Sequence, residues 1–469
     1  MRETWATSGT DLLLEIDVTG SRVRRRLEDA LRGAIQAGRL APGTRLPSTR
    51  SLAVDLGLAR NTVADAYGQL TAEGWLVAGH GSGTWVAERV IAEPAGPAAA
   101  AGHQAARPRF SLAPGVPDLA MFPVTAWLAA GRRALGAAPA AALGYGDPRG
   151  QPELRQALAD YLSRARGVRA AADRIMICTG FTQALGLLTQ VLAGRGGDGT
   201  LAVEHYGHRH HRQVIAAHGL AVRPLPVDGR GALTADLGRA AGALLTPAHQ
   251  FPLGVPLAAG RRTTATAWAA ATGGTIIEDD YDGEFRYDRQ AVGAMQALAP
   301  EHVVYAGTAS KTLAPGVRLA WLVLPRPLAD DVIAARELAD RHASIPEQLT
   351  LAELITSGGY DRHVRRARLA YRRRREQLAD ALREHAPAAR MTGVAAGLHA
   401  VVELPPGVGE DKAIAAGAAR GLALSGLAEY AAGGAGRAPA LVIGFATPPA
   451  HSFTTAIARL CAVLGEVAR

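Results

Sequence analysis

A stretch with little large apolar content beyond its first residues, Glu88–Arg107 (ERVIAEPAGPAAAAGHQAAR), constrains this chain more than any other feature. Its alanines, prolines and glycines cannot bury enough surface to hold a core, so a flexible linker is expected there. It leaves a small-domain-sized segment, 18–87, on one side and a long region, 108–469, on the other. A chain of 469 residues is in any case too long for one ordinary core.

Hydrophobic residues make up 48% and charged residues 20%, which implies neither wholesale disorder nor a membrane class. No apolar run approaches the length of a bilayer span. Met1–Asp17 lacks the basic start, apolar core and small-residue cleavage site of a secretory leader, and a cytoplasmic location is expected. Cys178 and Cys461 both lie in apolar stretches, where buried thiols are expected rather than a disulfide framework or a metal-ligand set.

The net charge of +9 is unevenly spread. Between Gly20 and Arg60 stand nine arginines against three acids, Glu28, Asp29 and Asp55, a footprint that suits nucleic acid. A second basic run, Arg362–Arg375, repeats arginine at helical spacing among Val364, Leu369 and Tyr371, and a solvated helix face accounts for it.

In the first segment Val23, Leu27, Leu31 and Ile35 recur every four residues and predict an amphipathic helix. Pro47 and Ser48 open a second helix with Leu52 and Leu56 inward, and Gly57 suits its left-handed end. A third helix carries Val63, Tyr67 and Leu70 on one face and Arg60, Asn61 and Thr62 at its start, where a helix-turn-helix reaches bases and phosphates. Trp75-Leu76-Val77 and Thr84-Trp85-Val86 flank a glycine-rich turn and predict a hairpin wing. Over Val18–Ala87 these features resemble the GntR-type winged helix. The resemblance implies DNA contacts from Arg45, Ser48, Arg50, Arg60, Asn61 and Thr62, with His80 and Gly81 at the wing tip.

In the second region short aliphatic runs alternate with helical patterns, which predicts an α/β fold with a parallel-rich sheet. The strand Thr275-Ile276-Ile277 leads into Glu278-Asp279-Asp280-Tyr281 and so brings carboxylates to a strand's C-terminal edge, where such folds bind ligands. A second strand from Val303 runs into Gly307-Thr308-Ala309-Ser310-Lys311. Lys311 and Lys412 are the only lysines of the chain, and an amine can form a Schiff base where a guanidinium cannot.

These words resemble the fold-type-I aminotransferases, and the whole chain resembles the MocR/GabR group of regulators, in which that fold follows a GntR winged helix. The markers are YGDPRGQPELRQALADYL (145–162), ICTGFTQAL (177–185), TPAHQFPLGVPL (246–257), IIEDDYDGEFRY (276–287) and GTASKTLAPGVRLAWLVLP (307–325). The resemblance implies a large sheet with a smaller C-terminal subdomain, pyridoxal phosphate as cofactor, and a homodimer. By position, Lys311 would carry the cofactor, Asp279 would pair with its ring nitrogen and Tyr281 would bond its phenolic oxygen. Gly180, Phe181 and Thr182 would cradle the phosphate at a helix start, helped by Ser310 and Arg318, with Tyr145 reaching across the dimer.

Two departures stand out. Family members read E-x-P-x-Y where this chain has Glu204-His205-Tyr206-Gly207-His208, so His208 is the first choice for the ring-stacking residue and Tyr206 the alternative. Aminotransferases also place an arginine, which grips the substrate carboxylate, where this chain has Val442. Arg437, His249 or an arginine of a partner chain are the substitutes to consider. Three functions compete: a DNA-binding regulator that senses pyridoxal phosphate or a small amine, an aminotransferase with an accessory DNA-binding domain, and a DNA-binding protein that has lost its cofactor. Retention of Lys311, Asp279, Tyr281 and Arg318 opposes the last, and loss of the clamp arginine opposes the second, leaving at most weak transaminase activity.

Overall fold

The structure is a computed structural model that describes residues 22–79, 83–88, 108–287, 292–433 and 436–469. The chain divides into two compact units between Ala106 and Arg107. The stretch read as a linker lies outside the described residues apart from Glu88, as do His80 and Gly81.

The first unit is built of helices α1 (Val23–Gln36), α2 (Thr49–Leu56) and α3 (Arg60–Ala72) and strands β1 (Arg45–Leu46), β2 (Leu76–Gly79) and β3 (Gly83–Val86). The four-residue apolar repeat of α1 buries Leu27, Leu31 and Ile35 completely or nearly so, while Val23 is only half-buried. Ser48 caps α2 by accepting from the Ser51 N–H at 3.1 Å, and Gly57 ends it at φ 66°. Tyr67 on α3 donates to the Pro47 carbonyl at 3.1 Å and so fixes the entry to α2. The hairpin β2–β3 forms as its sequence suggests, and a strand not foreseen, β1, adds to its edge with Arg45 opposite Trp85. Two residues are too short a run to show an alternation of faces.

The second unit centres on a seven-stranded sheet in the order Ile175–Cys178, Ala320–Val323, Val303–Thr308, Thr275–Asp279, Gly242–Leu245, Thr200–Glu204 and Ala221–Leu225. All neighbours are parallel except those of Ala320–Val323, which runs against both of its own. The inner strands are mainly apolar up to their C-terminal ends because helices cover both faces. Three parallel strands end at Glu204, Asp279 and Thr308, so one sheet edge gathers the polar residues. A smaller antiparallel sheet, Arg390–Thr392, Ala400–Glu403, Ala440–Ile443 and Ser425–Gly426, packs with helices Gly359–His385 and Ala450–Val467. Cys178 and Cys461 are both buried.

The basic run 362–375 lies in the 27-residue helix Gly359–His385. Arg362, Arg365, Arg366, Arg372 and Arg373 are exposed, but the face is not wholly solvated. Arg374 points inward, donating to Asp118 at 2.6 Å and to the carbonyls of Ala446 and Pro448. A buried guanidinium is tolerable only with such full pairing.

Candidate cofactor and DNA sites

The sheet edge opens into a cavity of about 230 Å³ that Lys311, Asp279, Tyr281, Ser310, Arg318, Phe181, Thr182, His208 and Tyr206 all line. Lys311 Nζ donates to the Gly115 carbonyl at 2.6 Å. Burial lowers the ammonium's pKa, and Asp279 and Asp282 act against that. Burial also pushes Asp279 up to about 8, with Lys311 pulling it back. Glu204, at the end of the next strand but one, is pushed up to about 7 by burial, although Thr246 and Gln250 both donate to it.

The helix Phe181–Ala193 starts at Gly180, whose φ of 96° leaves the first N–H groups turned outward without intrahelical acceptors. Arg318, itself at φ 54°, donates to the Thr179 carbonyl at 2.6 Å and lies across Gly180. A β-carbon there would stand 2.9 Å from the guanidinium carbon. The Ser310 N–H donates to Thr308 Oγ1 at 3.1 Å, which sets the turn just before Lys311. Cation, hydroxyl and free N–H groups thus converge on one cradle that only glycine leaves open. A cradle of this make-up fits a phosphate, and the buried Asp279 fits a ring cation.

The two stacking candidates part here. The His208 ring lies face to face with Phe251, centroids 4.0 Å apart and planes 16° apart, and burial pushes its pKa down to about 4. The Tyr206 hydroxyl is engaged instead, accepting from the Arg437 N–H at 2.7 Å. Val442 is fully buried opposite Val401, in an apolar cluster with Tyr206, Phe251 and Tyr430. Arg437 is exposed and lines a separate depression beside Glu410 and Asp411. Tyr145 is not among the cavity residues; it is 85% exposed, with the Arg341 guanidinium 4.8 Å from its ring centre. Lys412 lies elsewhere, donating to the Val467 carbonyl.

Several cavity residues carried no role in the sequence reading. Glu204 opens the Glu204–His208 stretch and Phe251 lies in the motif 246–257, so their positions were visible but their roles were not. His211 and Arg212 gave no local signal. Arg212 donates to the carbonyls of Gly207, Tyr430 and Ala431 and fastens the cavity wall to the loop of the smaller subdomain.

In the first unit Arg50, Arg60 and Asn61 are exposed at the starts of α2 and α3, and none of their side chains bonds another described residue. Thr62 is half-buried, and the Ser48 side chain is taken up by its cap. Arg45 belongs to the sheet, its guanidinium 6.0 Å from the Trp85 ring centre.

Two family models match: bacterial regulatory proteins of the gntR family over residues 23–86, and aminotransferase class I and II over residues 109–423. The chain is 33% identical over 425 residues to the HTH-type pyridoxine biosynthesis transcriptional regulator PdxR of Corynebacterium glutamicum, covering 90% of this chain and 91% of that one. It belongs to the MocR-type helix-turn-helix transcriptional regulators. The probable rhizopine catabolism regulatory protein MocR of Rhizobium meliloti is likewise 33% identical, over 77% of this chain and 78% of its own. Among solved structures, the kynurenine aminotransferase of Pyrococcus horikoshii superposes with a TM-score of 0.69 at 25% identity, covering 76% of this chain and 91% of that one. An archaeal alanine:glyoxylate aminotransferase gives the same TM-score at 24% identity, a likeness of fold alone. MocR-type membership carries the fold expected from the sequence: a GntR winged helix ahead of an α/β aminotransferase domain with a large mixed sheet. Among the described residues no helix is long and apolar enough to cross a membrane.

Proposed function

We propose that this MocR-type regulator binds pyridoxal phosphate through Lys311 and that occupancy of that site sets its affinity for a double-stranded DNA operator. The reading is carried by one observation: the lysine amine, the buried Asp279 carboxyl and the Gly180–Arg318 cradle open into the same small cavity. Bound there, the cofactor would supply an aldehyde that captures amines and a ring that draws electrons. Lys311 offers the amine, Asp279 holds a proton at the ring nitrogen, and Arg318, Ser310 and the helix start at Phe181 and Thr182 hold the phosphate. His208 covers the ring face, and its low pKa keeps it neutral and flat against an aromatic surface.

Val442 supports the choice of signal. A carboxylate brought into that apolar cluster would lose hydration without gaining a cation, at a cost of several kcal/mol. The effector is therefore the cofactor itself or a small amine, and ordinary amino-acid transamination is weak. DNA contacts fall to Arg45, Arg50, Arg60, Asn61 and Thr62, with His80 and Gly81 at the wing. Tyr145 and the exposed Val124, Leu128 and Leu143 fit a second copy of the chain, with Tyr145 completing its partner's phosphate site. The domains of the proposal are a DNA-binding segment 18–87, a linker 88–107 and a cofactor and dimer segment 108–469.

The test is spectroscopic. Adding pyridoxal phosphate should give a band at the visible edge that borohydride removes, with the label on Lys311 in peptide mapping, and operator affinity should change in the same titration. A label on Lys412, or operator binding indifferent to the cofactor, would refute the reading.

A further inference from the structure

Tyr281 sits two residues beyond the strand Thr275–Asp279, and its phenol reaches the loop that holds His249. Its O–H donates to the His249 carbonyl at 3.0 Å, and the same oxygen lies 3.1 Å from His249 Nδ1. That nitrogen is also 2.9 Å from Asp282 Oδ2, and both side chains are only 2% exposed. A carboxylate only accepts, so the short contact assigns the proton to Nδ1, with Asp282 its first acceptor and the phenol oxygen its second. Both side chains pack directly against Gly397, where only a glycine leaves them room. A β-carbon on Gly397 would stand 2.3 Å from His249 Cε1 and 2.4 Å from Asp282 Oδ2.

The phenol therefore has two settings. In one it donates to the His249 carbonyl. In the other its O–H turns into the cavity and its lone pair receives the His249 Nδ1–H, a change that needs only rotation about one C–O bond. We propose that His249, held in one tautomer by Asp282, is a positioning residue that keeps Tyr281 a hydrogen-bond donor toward the cavity. The proposal rests on the reading of that cavity as a pyridoxal phosphate site.

The surroundings explain why such a donor matters. Burial, together with Asp282, Asp279 and Glu204, raises the phenol's pKa well above its ordinary value, so its proton is firmly held and available to donate. Lys311 faces the same cavity. His399, its ring centre 5.2 Å from that of His249, is kept neutral by burial and bonds the Pro252 carbonyl, so it does not compete for the phenol. His249 Nδ1 is the nitrogen that lies within hydrogen-bond distance of this oxygen among the described residues.

A donor at the cofactor's ring oxygen stabilises the form with more negative charge there, which is the deprotonated one. Weakening that donor moves the pH midpoint of the visible band upward. In the cofactor-loaded full-length protein, His249→Phe should raise the midpoint by about half a pH unit or more. Asp282→Asn should shift it in the same direction, and His249→Asn, which keeps an N–H donor near the same place, should restore most of the wild-type value. An unmoved midpoint in His249→Phe, or one displaced equally in His249→Asn, would overturn the proposal and leave His249 a packing residue. If the wild-type protein gives no visible band, the cofactor reading itself fails. The ¹⁵N shifts of His249 then decide the tautomer, with Nδ1–H expected and Nε2–H overturning it.

Discussion

The guanidinium carbon of Arg318 lies 2.9 Å from the point where a β-carbon on Gly180 would stand. Cation and helix start share one space because position 180 has no side chain. Gly180→Ala would have to push Arg318 aside and would also strain a backbone at φ 96°, at about 1–2 kcal/mol. The expected outcome is a loss of pyridoxal phosphate affinity of about tenfold or more with the fold intact, read by absorbance titration alongside thermal melting. Unchanged affinity would mean that the phosphate sits elsewhere.

Asn61 and Arg50 should separate specificity from charge. Both are exposed, at the starts of α3 and α2. Asn61→Ala is expected to cost about 1–3 kcal/mol on the operator and little on random DNA. Arg50→Ala should weaken both and reduce the slope of log affinity against log salt by about one. Binding assays at several salt concentrations distinguish the two patterns, and a flat response to both changes would move the interface off these helices.

Acidification should act on His208. Its folded pKa of about 4 lies below its unfolded value, so the unfolded chain takes up the proton first. Stability from this group is complete above about pH 6.5 and is lost as the pH falls toward 4, by up to about 3 kcal/mol. Denaturant titrations of His208→Phe should fall less steeply over that window than those of the native chain. Equal slopes would show that the imidazole is not held neutral.

The unlike fates of neighbouring motifs show what a sequence can carry. Periodicity marks α1 to α3 because burial on one helix face leaves its trace every three or four residues, and the aliphatic strands are legible because both sheet faces are covered. Lys311 and Asp279 stood out through residue type at strand ends, and Arg318 through its position in a motif of the resembling family. The strand Arg45–Leu46 was not legible, since two residues set no alternation, and neither was the inward turn of Arg374, whose partners at Asp118, Ala446 and Pro448 are far off in the chain. Phe251 was visible as a letter in a motif, but its stacking on His208 is a relation between two loops that no local pattern encodes.

A buried Leu31 makes the first unit's stability measurable. It is fully enclosed in the core with Leu27, Val63 and Leu70. Leu31→Ala should cost about 2–5 kcal/mol and abolish operator binding at moderate temperature while the visible band at Lys311 persists. Loss of both together would show that the two units do not fold independently.

Arg212 gathers three carbonyls, and the same seam carries backbone bonds from Gly207 N–H to Tyr430 and from Ala432 N–H to His205, at 2.9 and 2.8 Å. Such a seam is a weld rather than a hinge. The loop bearing Tyr430 must travel with the helix Arg209–Ala217, so sliding one past the other is closed to any ligand as a way of transmitting its presence. The bond from Lys311 to the Gly115 carbonyl is a looser joint: Thr447 anchors the carbonyls of Ala113 and Val116 on either side of it, at 2.7 and 3.0 Å, so an amine changing its partner frees the turn between those two anchors and no more.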